Sequence, residues 1–214
     1  NLEEADGHVA LEHVSFSYVP EQKLIEDFNL SVKPGQRVAI VGPTGCGKTT
    51  LLDIIAGIEP IDSGEVLVDG VNILKRRNRL AYYQTKLGMC FQNFALIENM
   101  TVRKNLELVQ KKSRSDMSLD DALRRVGMTD YLDKKVCTLS GGEQQRIALA
   151  RLMVKKCSIV LADEPTGSLD ADNAAKVMTI LYDLNAMGKT VVMVTHDTKY
   201  QGIGTRQIDL IKMK

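Results

Sequence analysis

The sequence predicts an α/β chain built on a mainly parallel sheet with helices on both faces. Three observations carry this. The short, continuous apolar runs RVAIV at 37–41, SIVLA at 158–162 and TVVMVT at 190–195 have the length and composition of strands buried on both faces. Segments of helical spacing alternate with them, as crossover connections between parallel strands require. The middle of the chain lacks strand patterns and reads as a helical insert between sheet elements.

In chain order, Asn1–Gly7 is acidic and poor in apolar residues, so residues 1–8 are expected to be a linker and 9–214 a single domain. Val9–Tyr18 alternates loosely and reads as a strand. Phe28, Leu30 and Val32 alternate more cleanly, and the turn pair Pro34-Gly35 ends that strand. After the run 37–42 a helix is expected from Gly47 to about Ala56. EVLVDG reads as a strand closing on the turn Asp69-Gly70, and LGMCFQ as another short strand. The helical insert is expected over about 93–141, with Ser118 and Asp121 forming a capping box ahead of ALRRVG. A helix from about Gly142 to Lys155 precedes SIVLA. The next helix, about Ala171 to Met187, carries Val177, Ile180, Leu181 and Leu184 on one stripe, with Gly188 placed to end it. TVVMVT follows, then a weaker final strand in RQIDLI.

Bulk composition narrows the function classes. Lys and Arg total 28 against 27 Asp and Glu, for a net charge of +1, so nothing global attracts nucleic acid or an acidic membrane surface. The basic run Lys75, Arg76, Arg77, Arg79 reads as a solvated helix face. Cys46, Cys90, Cys137 and Cys157 form no CxxC pair and no metal knuckle, which fits a reducing, cytoplasmic setting. No apolar run approaches the roughly 20 residues of a membrane-spanning helix, and no signal peptide is evident. The chain opens at Asn1, as a trimmed or excised segment would. A membrane role is therefore expected to come through a partner or through a segment lying outside this chain.

Two motifs carry chemistry. Gly42-Pro43-Thr44-Gly45-Cys46-Gly47-Lys48-Thr49 satisfies the GxxxxGK[ST] pattern, with a buried strand before it and a helix after it. Its glycines let the backbone aim successive N–H groups at phosphate oxygens, and the helix start adds its positive end. Lys48 reaches β and γ phosphates, and the Thr49 hydroxyl ligates magnesium. Downstream, Asp163 and Glu164 end an apolar strand, where open α/β sheets place their chemistry. Asp163 is expected to hold magnesium and Glu164 to act as general base on the attacking water.

Leu139-Ser-Gly-Gly-Glu-Gln144, with QRIALAR behind it, resembles the signature of the ABC (ATP-binding cassette) ATPases, a branch of the P-loop NTPases. The match runs from Tyr18 to His196 with every motif in order. The resemblance implies ATP and Mg2+ as ligands, ATPase activity, an antiparallel β subdomain and a helical insert subdomain. It implies that Tyr18 stacks on adenine, the alternative being a core strand aromatic. Gln92 resembles the loop glutamine that senses magnesium and water, Ser168-Leu-Asp170 the loop crossing a dimer interface, and His196 the histidine on the γ phosphate. His8 and His13 read as linker and strand residues.

The resemblance further implies a head-to-tail dimer with a second copy. ATP would lie between residues 42–50 of one copy, Thr50 included, and Ser140, Gly141, Gly142 and Glu143 of the other, with Asp170 nearby. A transmembrane permease, separate or fused upstream of Asn1, would be the partner at the cytoplasmic membrane face. ADEPTGSLD and LSGGEQQR resemble stand-alone ATPases of lipoprotein-release, antimicrobial-peptide and macrolide exporters, and equally the cell-division ATPase that signals without transport. The opening GHVALEHVSFSY resembles exporters whose membrane and ATPase domains share one chain, whereas Lys134–Thr138 departs from the Gly-Glu-Arg-Gly-type loop of those exporters. An exporter ATPase is the expectation, and no regulatory domain is expected after His196. Cys46, beside Lys48 and a helix start, is expected to be alkylated with loss of ATP binding, or else to be a space-filling residue.

Overall fold

The structure, a computed structural model, describes residues 7–196 and 204–210. Its centre is a five-stranded, all-parallel sheet in the order β6-β7-β8-β3-β9. The strands are β3 (Arg37–Val41), β6 (Leu87–Cys90), β7 (Ile159–Asp163), β8 (Thr190–Thr195) and β9 (Arg206–Asp209). β3, β7 and β8 are almost wholly buried, which is why they read as unbroken apolar runs. β9 is an edge strand with mostly exposed side chains, so its sequence signal is weak.

A second, antiparallel sheet takes the order β2-β1-β4-β5, from β1 (Val9–Val19), β2 (Gln22–Val32), β4 (Ser63–Val68) and β5 (Val71–Asn72). The loose alternation of β1 has a physical cause. His13 has φ 52° and the pairing with β2 shifts register between Leu11 and Val14, so the two-residue period slips there. The His13 N–H is met by Asn29 Oδ1 at 2.9 Å. β2 starts well before Phe28, at Gln22; its first half is mostly exposed apart from Leu24 and the buried Ile25, so no clean alternation marks it.

Helices cover the parallel sheet. α1 (Lys48–Ala56) belongs to a core that joins the antiparallel sheet to β3, β7 and β8 through Leu51, Leu52, Ile54 and Ile55. A second core gathers α3 (Val102–Glu107), α4 (Leu119–Arg125), α5 (Gly141–Val154) and α6 (Ala171–Ala186). On α6, Val177, Ile180, Leu181 and Leu184 form the buried stripe read from sequence, and Gly188 follows with φ 88°. The N-cap of α4 is Ser118, whose side chain accepts from the Asp121 N–H.

The basic run Lys75–Arg79 opens a helix, as its reading as a solvated helix face expects, and one feature further on departs from the sequence expectations. α2 (Arg76–Thr85) lacks an apolar stripe; Tyr82 is its one buried residue, with its hydroxyl donating to Ile55 O at 2.9 Å. Burial drives the Tyr82 hydroxyl far above its ordinary pKa, so it stays a donor. Gly7 and His8, assigned to a linker, are docked instead. Both N–H groups donate to Asp69 Oδ1, at 2.9 and 2.8 Å, and Gly7 O accepts from the Thr190 hydroxyl. Among the described residues no helix is long and apolar enough to cross a membrane. The expectation about the tail falls largely on 197–203 and 211–214, outside the described residues.

Candidate functional site

The loop 42–49 follows β3 and opens α1, and local chemistry explains its shape. Gly47 is the N-cap of α1 in a left-handed conformation, φ 94°, with no side-chain cap bond, and no acidic residue occupies the first turn. The opening N–H groups of α1 are thus directed outward with the helix dipole behind them. Gly42 is needed for close approach: a Cβ there would sit 2.5 Å from Leu210 O and 2.6 Å from Cys46 Sγ. Lys48 is 7% exposed, and its ammonium donates to Gly42 O at 2.8 Å and Pro43 O at 3.0 Å.

The loop forms one wall of a cavity of about 500 Å³. Thr44, Gly45, Gly47, Lys48, Thr49 and Thr50 line it, facing Tyr18, Gln92, Glu164 and His196. The fold therefore brings together residues that sequence reading picked from five separate segments. Tyr18 is 65% exposed and its hydroxyl hydrogen-bonds with that of Thr50 at 2.8 Å. Its ring meets Phe16 in a T-shaped contact, 4.8 Å between centroids. Val19, Gln22 and Leu24, which no motif singles out, complete that end.

Glu164 and His196 line the other end, and Asp163 stands beside them without lining the cavity itself. The Thr49 hydroxyl donates to Asp163 Oδ1 at 3.2 Å, so the two groups expected to hold a cation converge from different elements. Burial holds the Asp163 carboxyl above the usual range; the Thr49 hydrogen bond opposes this, the charge of Glu164 adds to it, and Lys48 opposes it. Glu164 takes φ 43°, in the left-handed region that non-glycine residues rarely enter, with its N–H donating to Val194 O. That turn brings its carboxylate to His196, whose Nδ1 lies 2.9 Å from Oε1 and whose N–H donates to Oε2 at 3.3 Å.

The signature segment lies elsewhere. Ser140 is the N-cap of α5, in a capping box with Glu143. Ser140, Gly141, Gly142, Glu143 and Asp170 do not line the cavity of their own chain. Two residues expected at a second copy's nucleotide or interface also have partners within their own chain. Glu143, expected at the nucleotide, has both oxygens engaged internally: Oε2 accepts the Ser140 N–H and Oε1 the Tyr131 hydroxyl, each at 2.8 Å. The Ser140 N–H is the main cause holding the Glu143 carboxyl below its usual pKa. Asp170, likewise, is the N-cap of α6, accepting the Asn173 N–H at 2.9 Å. Cys46 is 4% exposed and packs beneath the loop, which favours the space-filling reading.

Comparison with known proteins agrees with this geometry. Residues 25–167 match the family model described as "ABC transporter". The chain is 37% identical over 200 residues to YvrO of Bacillus subtilis (strain 168), named an uncharacterized ABC transporter ATP-binding protein, covering 88% of this chain and 87% of that one. It is 36% identical over 209 residues to the trehalose import ATP-binding protein SugC of Mycobacterium tuberculosis, covering 94% of this chain and 52% of SugC. Among solved structures, the dimeric post-hydrolysis state of the ATP-binding cassette MJ0796 bound to ADP and Pi superposes with a TM-score of 0.82 at 33% identity, covering 95% and 94% of the two chains.

Proposed function

The chain belongs to the ABC transporter family as an ATP-binding, ATP-hydrolysing domain, and from that premise we propose that two copies close head to tail on two ATP molecules and drive a membrane partner. The observation that carries this is the division of the motifs: a cavity lined by loop, base and histidine, and a capped signature helix that its own cavity does not use. The 500 Å³ cavity is of ligand size.

In this reading, Tyr18 stacks on adenine while Gly42, Pro43, Thr44, Gly45, Gly47 and Thr50 wrap the phosphates with backbone groups. The Lys48 ammonium exchanges the carbonyls of Gly42 and Pro43 for β and γ phosphate oxygens. Thr49, Asp163 and Gln92 offer hard oxygen donors suited to a magnesium ion, which would neutralise phosphate charge when bound. Glu164 accepts a proton from the attacking water as the water oxygen bonds to the γ phosphorus. The bond from that phosphorus to the β-phosphate oxygen breaks, leaving ADP and phosphate. His196, hydrogen-bonded to Glu164, orients that carboxylate and faces the γ phosphate. Ser140, Gly141 and Gly142 of the second copy, at the positive end of α5, stabilise the charge that develops on the transferring group. ATP binds the closed pair best, and hydrolysis reopens it.

The domain is taken as 9–214 with a helical part at 93–141, acting at the cytoplasmic membrane face through a permease, separate or fused upstream. Export is the preferred direction, on the resemblance of ADEPTGSLD and LSGGEQQR to exporter ATPases. The same residues resemble the cell-division ATPase, so signalling to a membrane partner without transport is the second reading. The decisive experiment is Glu164→Gln: ATP binding persists while turnover falls about 10²–10⁴-fold. Normal turnover in that variant would remove Glu164 from catalysis.

A further inference from the structure

The tip of α5 does not hold itself in place. Ser140 caps the helix with a long bond, Glu143 N–H to Ser140 Oγ at 3.4 Å, while the stronger half of the box runs the other way, from Ser140 N–H to Glu143 Oε2 at 2.8 Å. The orientation of Ser140 therefore depends on where the Glu143 carboxylate sits. A carboxylate on a two-methylene stem turns easily unless its second oxygen is fixed. Here that oxygen accepts the hydroxyl of Tyr131 at 2.8 Å.

Tyr131 comes from a different part of the fold, the helical segment ahead of the signature. It ends the single helical turn Thr129–Tyr131, with its N–H bonded to Met128 O and its carbonyl to Lys134 N–H. Its ring packs against the second core, and the Lys134 ammonium lies 3.8 Å from the ring centroid. The residue is thus braced by backbone, packing and a cation before its hydroxyl meets Glu143. Nothing in the spacing of the signature motif implicates it.

We propose that Tyr131 is a positioning residue for the signature serine, setting Ser140 through Glu143 so that the serine and the N–H groups beside it meet the partner copy's nucleotide in register. This rests on the two-copy reading above. Tyr131 touches no nucleotide itself and acts only through Glu143. A displacement of the helical segment relative to the parallel sheet would reach Ser140 by this route.

The test uses the full chain in the Glu164→Gln background, where ATP is held without turnover, and measures ATP-dependent dimerisation by sedimentation velocity. Tyr131→Phe keeps the ring and its contact with Lys134 and removes only the hydroxyl. It is expected to weaken the ATP-loaded dimer about three- to tenfold, a part of the value of one hydrogen bond to a charged group, since the contact acts on the dimer only through Glu143. Binding of a fluorescent ATP analogue to the monomer should change by less than about twofold, since residues 42–49 are untouched. In a double-mutant cycle, Tyr131→Phe should add nothing once Glu143→Ala is present. A merely structural role lowers thermal stability but leaves the dimer constant and this coupling flat. Ser140→Ala is the control. If Ser140→Ala weakens the dimer and Tyr131→Phe does not, this inference is wrong and the two-copy reading stands. If Ser140→Ala has no effect either, the two-copy reading itself fails.

Discussion

Glu164 and His196 form a closed pair at the C-terminal edge of the parallel sheet, the imidazole 2.9 Å from one carboxylate oxygen and the His196 N–H 3.3 Å from the other. The carboxylate is largely buried, 13% exposed, and the imidazole is 59% exposed, and both line the cavity. His196→Ala frees Glu164 of one of these two partners. Turnover should fall on the order of 10²-fold or more, as when a preorganised polar contact is lost, with ATP affinity little changed. Single-turnover hydrolysis with pre-bound ATP checks this; an unchanged rate would assign the pair to structure alone.

Thr49→Ala removes the hydroxyl that meets Asp163. The magnesium concentration giving half-maximal hydrolysis should rise about tenfold or more. Nucleotide binding in EDTA should stay near the parent value. A parallel loss of both would mean that the loop had collapsed.

Gly142 is constrained by packing before any ligand is considered. A Cβ there would lie 2.5 Å from Asn173 Cγ, and Asn173 is itself tied to Asp170 and to the Arg146 guanidinium. Gly142→Ala should cost about 1–3 kcal/mol in thermal unfolding, and Asn173→Ala should recover part of it. Absence of recovery would place the strain elsewhere.

The capping box gives an acid-side dependence. The folded Glu143 pKa lies below its ordinary value of 4.5, so its contribution is fully present above that value and is lost as pH falls through the lowered one. Glu143→Gln should therefore be less stable than the parent near neutrality and converge with it in acid. Urea melts at a series of pH values test the sign; a constant gap would contradict it.

Thiol labelling should follow burial. Cys137 is exposed while Cys46, Cys90 and Cys157 are buried, and burial pushes the Cys90 thiol up to about 12. One thiol should label quickly in the native chain and three only on opening, with ATP slowing Cys46 further. Fast labelling of Cys46 would instead mean that the loop opens readily without ligand.

Much of this was legible because burial on both faces leaves an unmistakable run of apolar residues, as in β3, β7 and β8, and because the phosphate loop must supply glycine where backbone approaches backbone. Less legible was whatever depends on a single distant contact. α2 is anchored by Tyr82 reaching Ile55, which no periodicity announces. Gly7 and His8 are polar-looking but gripped by Asp69, some sixty positions away, |i−j| of 62 and 61. Glu143 and Asp170 are placed by resemblance alone, and their helix-cap bonds depend on neighbours that no motif spacing announces.

The backbone at Glu164 has one more implication. A left-handed residue with a side chain costs about 1 kcal/mol or more that a glycine would not. Position 164 is where heat tolerance and chemistry pull in opposite directions. A library screened only for survival at high temperature should drift there toward glycine, yielding sturdier molecules that no longer burn their fuel.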